Sequence, residues 1–205
     1  MNGIMESTVT VGKNVVIEPF AVVKGNSVLF DGCVVGSFSY VENSVIGSGT
    51  VVRASRITDS MLGDNCTVGP NAHLRQNAFV AEGCRVGNFV EIKNSTLHEG
   101  VKVSHLAYVG DAEVGAKTNV GCGVIFVNYD GVKKHRSKVG KNCFIGCNSC
   151  LVAPVTVGDG CFVACGTTVE RDVPNGAFCI GRSRMTIKLD KAVDYLGHKD
   201  VADEK

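Results

Sequence analysis

The sequence predicts an all-β protein wound as a parallel β-helix of hexapeptide repeats, about nine three-sided coils in one domain. Two observations carry this reading. An aliphatic residue returns every six positions through Val11, Ile17, Val23, Leu29, Val35 and Val41, then Leu62, Val68, Leu74, Val80, Val86 and Ile92, then Val139, Ile145, Leu151, Val157, Val163 and Val169. Four places after many of these stands a small or β-branched residue: Cys33, Cys66, Ala72, Ala78, Cys84, Ala107, Thr118, Cys143, Ser149, Val155, Cys161 and Thr167. A period of six is neither the 3.6 of a helix face nor the alternation of a lone strand, so the unit is a short extended run closed by a corner. Three runs make one coil, whose narrow interior admits a large aliphatic and then a small side chain.

Taken along the chain, the first run winds the opening coils, and a few five-residue steps carry the count through Ile46, Val52 and Ile57 to the second run. Leu97, Val103, Val109, Val114, Val120 and Phe126 continue it. The step from Phe126 to Val139 is the one long interruption, and its segment VNYDGVKKHRSK, residues 127–138, is expected to leave the prism as a projecting polar loop turned by Asp130-Gly131. The third run closes the solenoid near residue 174, giving a domain over 1–174 and a C-terminal tail over 175–205. A stack of coils ends on a bare sheet edge, so the tail is expected to act as a cap, with a short amphipathic helix over 188–196 turning Leu189, Ala192, Val193 and Leu196 inward. Hexads of this kind resemble the left-handed parallel β-helix, an exception to the right-handed crossover rule.

Composition narrows the function. The formal net charge of the 205 residues is +1 with no long basic run, which argues against nucleic acid as a partner. No signal peptide and no apolar stretch of membrane-spanning length is present, so no membrane partner and a cytoplasmic location are expected. Of the ten cysteines, Cys33, Cys66, Cys84, Cys143 and Cys161 fall in the small interior slot and read as reduced packing rather than a disulfide framework.

The period also serves as a ruler. Two places after the aliphatic position on one face, successive coils present Asn88, His105, Cys122, Cys147 and Cys165 as an outward column. On the next face Arg75 lies one coil below Lys93, a pair that either suits an anionic group such as phosphate or forms two solvated charges of a surface ladder. The stacked thiols read as soft packing for a ligand, an oxidation-sensitive stripe, a nucleophile or a thiolate metal site.

The runs VGNFVEIK, SHLAYVGDAEVG, NYDG and LVAPVTVGDG, in that order, resemble the C-terminal acetyltransferase domain of the bacterial bifunctional N-acetylglucosamine-1-phosphate uridylyltransferase/glucosamine-1-phosphate acetyltransferases. The resemblance is densest over 62–182 and implies acetyl transfer from acetyl-CoA to the amine of glucosamine 1-phosphate, in a homotrimer with sites between neighbouring prisms. It implies His105 as general base; Arg75, Lys93, Tyr108 and Lys134 as ligands of the sugar phosphate; Asn119 and Asn128 as sugar contacts, with Tyr129 beside them; and Cys122, Cys147, Cys165 and Arg182 along the CoA groove. An imidazole of ordinary pKa takes a proton near neutral pH, as an amine attacking a thioester requires. Three cysteines stand where the family commonly has Ala, Ser and Ala, and the sequence after Arg182 diverges. Nothing upstream resembles the nucleotide-binding domain, so the chain reads as a stand-alone acetyltransferase with a separate uridylyltransferase as partner. Other readings are an N-acetyltransferase for another amino sugar or a nucleotide-linked amino sugar; a metal hydratase with three interface histidines, which the spacing of His73, His98, His105, His135 and His198 does not provide; and a non-catalytic trimeric scaffold. Whether a divalent metal assists is left open by the sequence.

Overall fold

The computed structural model describes residues 3–189, 191, 192 and 194. Short parallel strands build three walls of ten, nine and ten strands. The first wall runs from Ile4–Met5 to Thr168–Val169, the second from Thr10–Val11 to Val155–Val157, and the third from Val16–Ile17 to Phe178–Cys179. The architecture is the left-handed parallel β-helix that the hexads predict, with about ten turns rather than about nine. The extra turn comes from the ends: pairing begins at Ile4↔Val22, before the first counted hexad, and continues through Phe162↔Phe178.

Both sequence-read interior positions are inside. Leu29, Ile46, Ile57, Leu62, Leu74, Ile92, Leu97, Ile145 and Leu151 are almost wholly buried, and every small residue of the second set lies in the core or beside it. At the five-residue steps the coil is shortened and a buried serine takes up the backbone. Ser44, Ser60 and Ser95 each donate to the carbonyl two residues earlier, at 2.7–2.8 Å, and Ser44 and Ser95 also accept an N–H from the next coil. The interior cysteines are free, and Cys66, Cys84, Cys143 and Cys161 each donate Sγ–H to a carbonyl of the coil above at 3.0 Å. Burial pushes the Cys33 thiol up to about 11.

Two expectations are corrected at the ends. Val11 is 40% exposed and Ile17 only half-buried, because the first coil has no neighbour on its outer side. Of the expected cap helix over 188–196, the residues read as inward Leu189 and Ala192 are exposed, Leu189 at 81%, whereas Val193 and Leu196 lie outside the described residues. No helix among the described residues is long and apolar enough to cross a membrane.

The coil that carries the 127–138 insertion keeps its ladder: Ile125–Val127 pairs with Cys150–Val152, and Ser137–Val139 pairs with both neighbouring coils. The loop between them is a small hairpin closed by a Tyr129↔Lys134 bridge. At its tip, Asp130 Oδ1 accepts the Val132 and Lys133 N–H groups at 2.7 Å, Oδ2 pairs with His135 Nε2 at 2.6 Å, and Gly131 adopts φ +96°. Arg136 pins the return by donating to the carbonyls of Asn94 and Ala112.

Candidate active site

The column found by counting exists on the third wall. Asn88 and His105 are in register, and their side chains meet across the coil, His105 Nδ1 to Asn88 Oδ1 at 2.8 Å. The pairs Val103↔Val120, Val120↔Ile145 and Ile145↔Val163 carry the register upward, so Cys122, Cys147 and Cys165 follow on successive turns. With the amide oxygen of Asn88 as acceptor, Nδ1 carries the imidazole proton and the exposed Nε2 holds a lone pair facing solvent. Arg182 folds back to this column, donating Nη1–H to the Cys165 carbonyl at 2.8 Å.

The residue after His105 turns the corner. Leu106 sits at φ +44° and is 57% exposed, as is Phe89 one turn below at φ +55°. Most other corners use Asn or Gly in this left-handed region, and a bulky residue there costs roughly 1–2 kcal/mol. The chain therefore holds strain at the corner that follows His105 and leads into the first wall.

Beyond that corner the first wall carries a buried ionic network. Lys93 Nζ pairs with Asp111 at 3.3 Å, the two side chains being 6% and 7% exposed. Asp111 also accepts hydrogen bonds from the Asn94 and Asn128 amides, and Asn128 donates to Tyr108 Oη at 3.3 Å. Burial works to raise the Asp111 carboxyl, but the Asn94, Asn128 and Lys93 contacts outweigh it and hold the group below its usual range. Lys134 reaches in from the loop beside Lys93. Contact with Lys93, and then its charge, lowers the Lys134 amine, while Lys93 is raised by that same contact and by Asp111 against its burial. The Tyr108 ring lies over Gly110, where a Cβ would run into it. Arg75, below Lys93, is held by Glu91, with Nη2 and Nε at 2.6 and 2.7 Å from Oε1.

The structure thus brings His105 to one side of a corner and Tyr108, Lys93, Asn128, Lys134 and Arg75 to the other. Asn119 is elsewhere: it stands in the Arg85, Lys102, Phe144 register on the outer face of the third wall. Tyr129 is exposed, its hydroxyl donating to the Gly131 carbonyl of its own loop. Sequence reasoning gave no role to Asp111, Asn94, Glu91 or Leu106. Asp111 and Asn94 sit at positive φ, where Asp and Asn read as turn formers, and that reading hid their ionic role. Among the described residues no three His, Cys, Asp or Glu side chains converge so as to hold a metal ion.

A lone pair one corner away from a cluster of cations is equipped to take a proton from a ligand that an anionic group anchors. Known proteins share this chain's pattern. Residues 136–171 match the family model described as bacterial transferase hexapeptide (six repeats), and residues 56–130 match that of the GMPPB C-terminal domain. The chain is 45% identical over 184 residues to the bifunctional protein GlmU of Alkaliphilus metalliredigens, covering 90% of this chain and 40% of that protein. It is 48% identical over 183 residues to GlmU of Synechococcus elongatus, covering 89% and 40%. It therefore spans about two-fifths of the length of these curated relatives. A solved Arabidopsis UDP-N-acetylglucosamine acyltransferase shares the fold, with a TM-score of 0.72 at 15% identity over 84% of this chain and 67% of that one. The chain thus carries bacterial transferase hexapeptide repeats over residues 136–171, and it resembles the GlmU proteins over the stretch it spans.

Proposed function

We propose that the chain is an acetyl-CoA-dependent sugar N-acetyltransferase that acetylates the amine of glucosamine 1-phosphate, giving N-acetylglucosamine 1-phosphate for UDP-N-acetylglucosamine synthesis. The observation that carries this reading is the His105–Asn88 contact set one corner away from the Lys93, Lys134 and Arg75 cluster. The cations take the sugar phosphate, Lys93 held charged and in place by Asp111 and Lys134 supplied by the loop. Tyr108 and Asn128 contact the sugar, with Asn119 and Tyr129 completing the acceptor side from the neighbouring surfaces.

His105 Nε2 removes the proton of the amine as its nitrogen attacks the thioester carbonyl, a contribution of about 10²- to 10⁴-fold. Negative charge then develops on the carbonyl oxygen. The resemblance implies the Cys122 N–H, between Gly121 and Gly123, as the donor to this oxyanion. The carbon–sulfur bond breaks, the proton held by His105 passes to the leaving thiolate, and the amide and free thiol leave. The pantetheine arm runs along Cys122, Cys147 and Cys165 toward Arg182.

A convex corner encloses no ligand by itself, and the exposed Leu106 and Phe89 flank His105. A homotrimer, in which a second prism covers this corner, supplies the missing wall. The test is to incubate the protein with acetyl-CoA and glucosamine, glucosamine 1-phosphate, glucosamine 6-phosphate or UDP-linked amino sugars and follow free thiol. Turnover confined to the 1-phosphate supports the reading. Preference for a nucleotide-linked sugar transfers the same base and groove to a different acceptor, and no thiol with any amine leaves a non-catalytic trimer.

A further inference from the structure

The three cysteines above His105 differ from the five inside the prism. The interior thiols are buried, and four of them are spent on carbonyls of the next coil. Cys122 and Cys147 are half-buried, Cys165 is exposed, and all three are free. Side chains at this position approach from turn to turn, as the 2.8 Å contact between His105 and Asn88 shows. The Asn148 N–H to Cys122 carbonyl and Gly166 N–H to Cys147 carbonyl bonds, both 2.8 Å, lock the cysteines one rung apart.

One rung is about 4.8 Å, inside the ~4.4–6.8 Å Cα window of a disulfide. Cβ atoms of an in-register parallel pair are about as far apart as the rungs, whereas a relaxed disulfide wants ~3.8 Å, so a bridge must tilt the two Cβ atoms toward each other by about 1 Å. Such a bond is strained, and strained disulfides are the easily reduced ones. The residue after Cys165 allows the tilt: Gly166, at φ +71°, has open space around it.

We propose that this column is a thiol–disulfide exchange site for low-molecular-weight disulfides, with Cys165 as the attacking thiol and Cys147 as the resolving one. The Cys165 thiolate attacks one sulfur of the small disulfide; its S–S bond breaks, and the first small thiolate leaves and is protonated. The Cys147 thiolate then attacks the Cys165 sulfur of the mixed disulfide and expels the second small thiolate. Two protein thiols lose two electrons to form Cys147–Cys165, and one small disulfide gains them to become two thiols. The bridge narrows the groove above His105, so acetyl transfer falls while it persists; that consequence, unlike the bridge itself, rests on the proposed acetyl-transfer reading.

The experiment treats the full chain with oxidised glutathione, blocks remaining thiols, digests and maps the peptides by mass, following CoA release in parallel before and after dithiothreitol. The expected result is a Cys147–Cys165 cross-linked peptide, with the five interior cysteines blocked only after unfolding. CoA release drops at least tenfold and recovers on reduction. In Cys147→Ser the bridge is absent and glutathione stays on Cys165. Neither adduct nor bridge at Cys165, or a bridge between other cysteines, overturns the site. A mapped bridge with an unchanged rate overturns the control of catalysis, and a mapped bridge on a chain that never transfers acetyl leaves the site standing while the functional reading falls.

Discussion

Asp111→Ala removes the single carboxylate that supports the buried half of the site, and its cost follows from the contacts. Lys93 would keep its ammonium at 6% exposure with no anion, beside the Lys134 amine, and the Asn94 and Asn128 amides would lose their shared acceptor. Breaking a buried pair from one side costs about 3–5 kcal/mol because the remaining charge is uncompensated. For a chain of this size each kcal/mol moves the melting temperature by about 2–4 °C, so the expected fall is about 6–20 °C at fixed protein concentration. Replacing both partners with apolar side chains, Asp111→Leu with Lys93→Met, removes the unpaired charge and restores most of the loss. The pH dependence has a definite sign: the folded Asp111 carboxyl lies below its unfolded value, so its stabilisation is fully present above the ordinary carboxylate range and is lost as pH falls through the folded value. Circular dichroism melts across pH measure all three. A single variant within about 1 kcal/mol of wild type, or a double variant no more stable than the single, refutes the network as described.

The remaining predictions concern the loop, the coil interface and the core. Asp130 is held at about 2, mainly by the Lys133 N–H and then by His135 and the Val132 N–H, so the hairpin tip keeps its order well below pH 4 and loosens as pH falls through about 2; amide exchange at Val132 and Lys133 that accelerates already near pH 4 counts against it. Gly87→Ala places a Cβ against the Ser104 carbonyl directly beneath the Asn88–His105 contact, so it should separate those two rungs and lower both melting temperature and turnover, whereas a fully active, equally stable variant would show that the close approach is not maintained. Phe126, the largest wholly buried side chain among the described residues, should cost about 3–5 kcal/mol on truncation to Ala, read by urea denaturation.

The fold was legible because its signal repeats: each coil poses the same packing problem, and the hexads answer it with the same aliphatic and small residues. The His105 column was legible for the same reason, since one register fixes five residues from Asn88 to Cys165. What stayed hidden does not repeat. Asp111 occupies a corner where neighbouring coils carry Asn43, Asp59, Gln76 or Asn94 at positive φ, and only the three-dimensional contact with Lys93 separates its role from theirs. Leu106 looks like one more apolar residue until its left-handed conformation is seen. In the tail, a helical stripe of four residues specifies no partner surface, and the two of them that are described, Leu189 and Ala192, face solvent.

The central claim is that the imidazole held by Asn88 takes the amine proton during acetyl transfer. The most direct measurement is kcat for His105→Ala with acetyl-CoA and glucosamine 1-phosphate, alongside its melting temperature. Because the ring is exposed, stability should change by less than about 0.5 kcal/mol, while kcat falls by about 10²- to 10⁴-fold with KM for the sugar phosphate nearly unchanged. A well-folded variant that retains kcat within about fivefold of wild type would contradict the account.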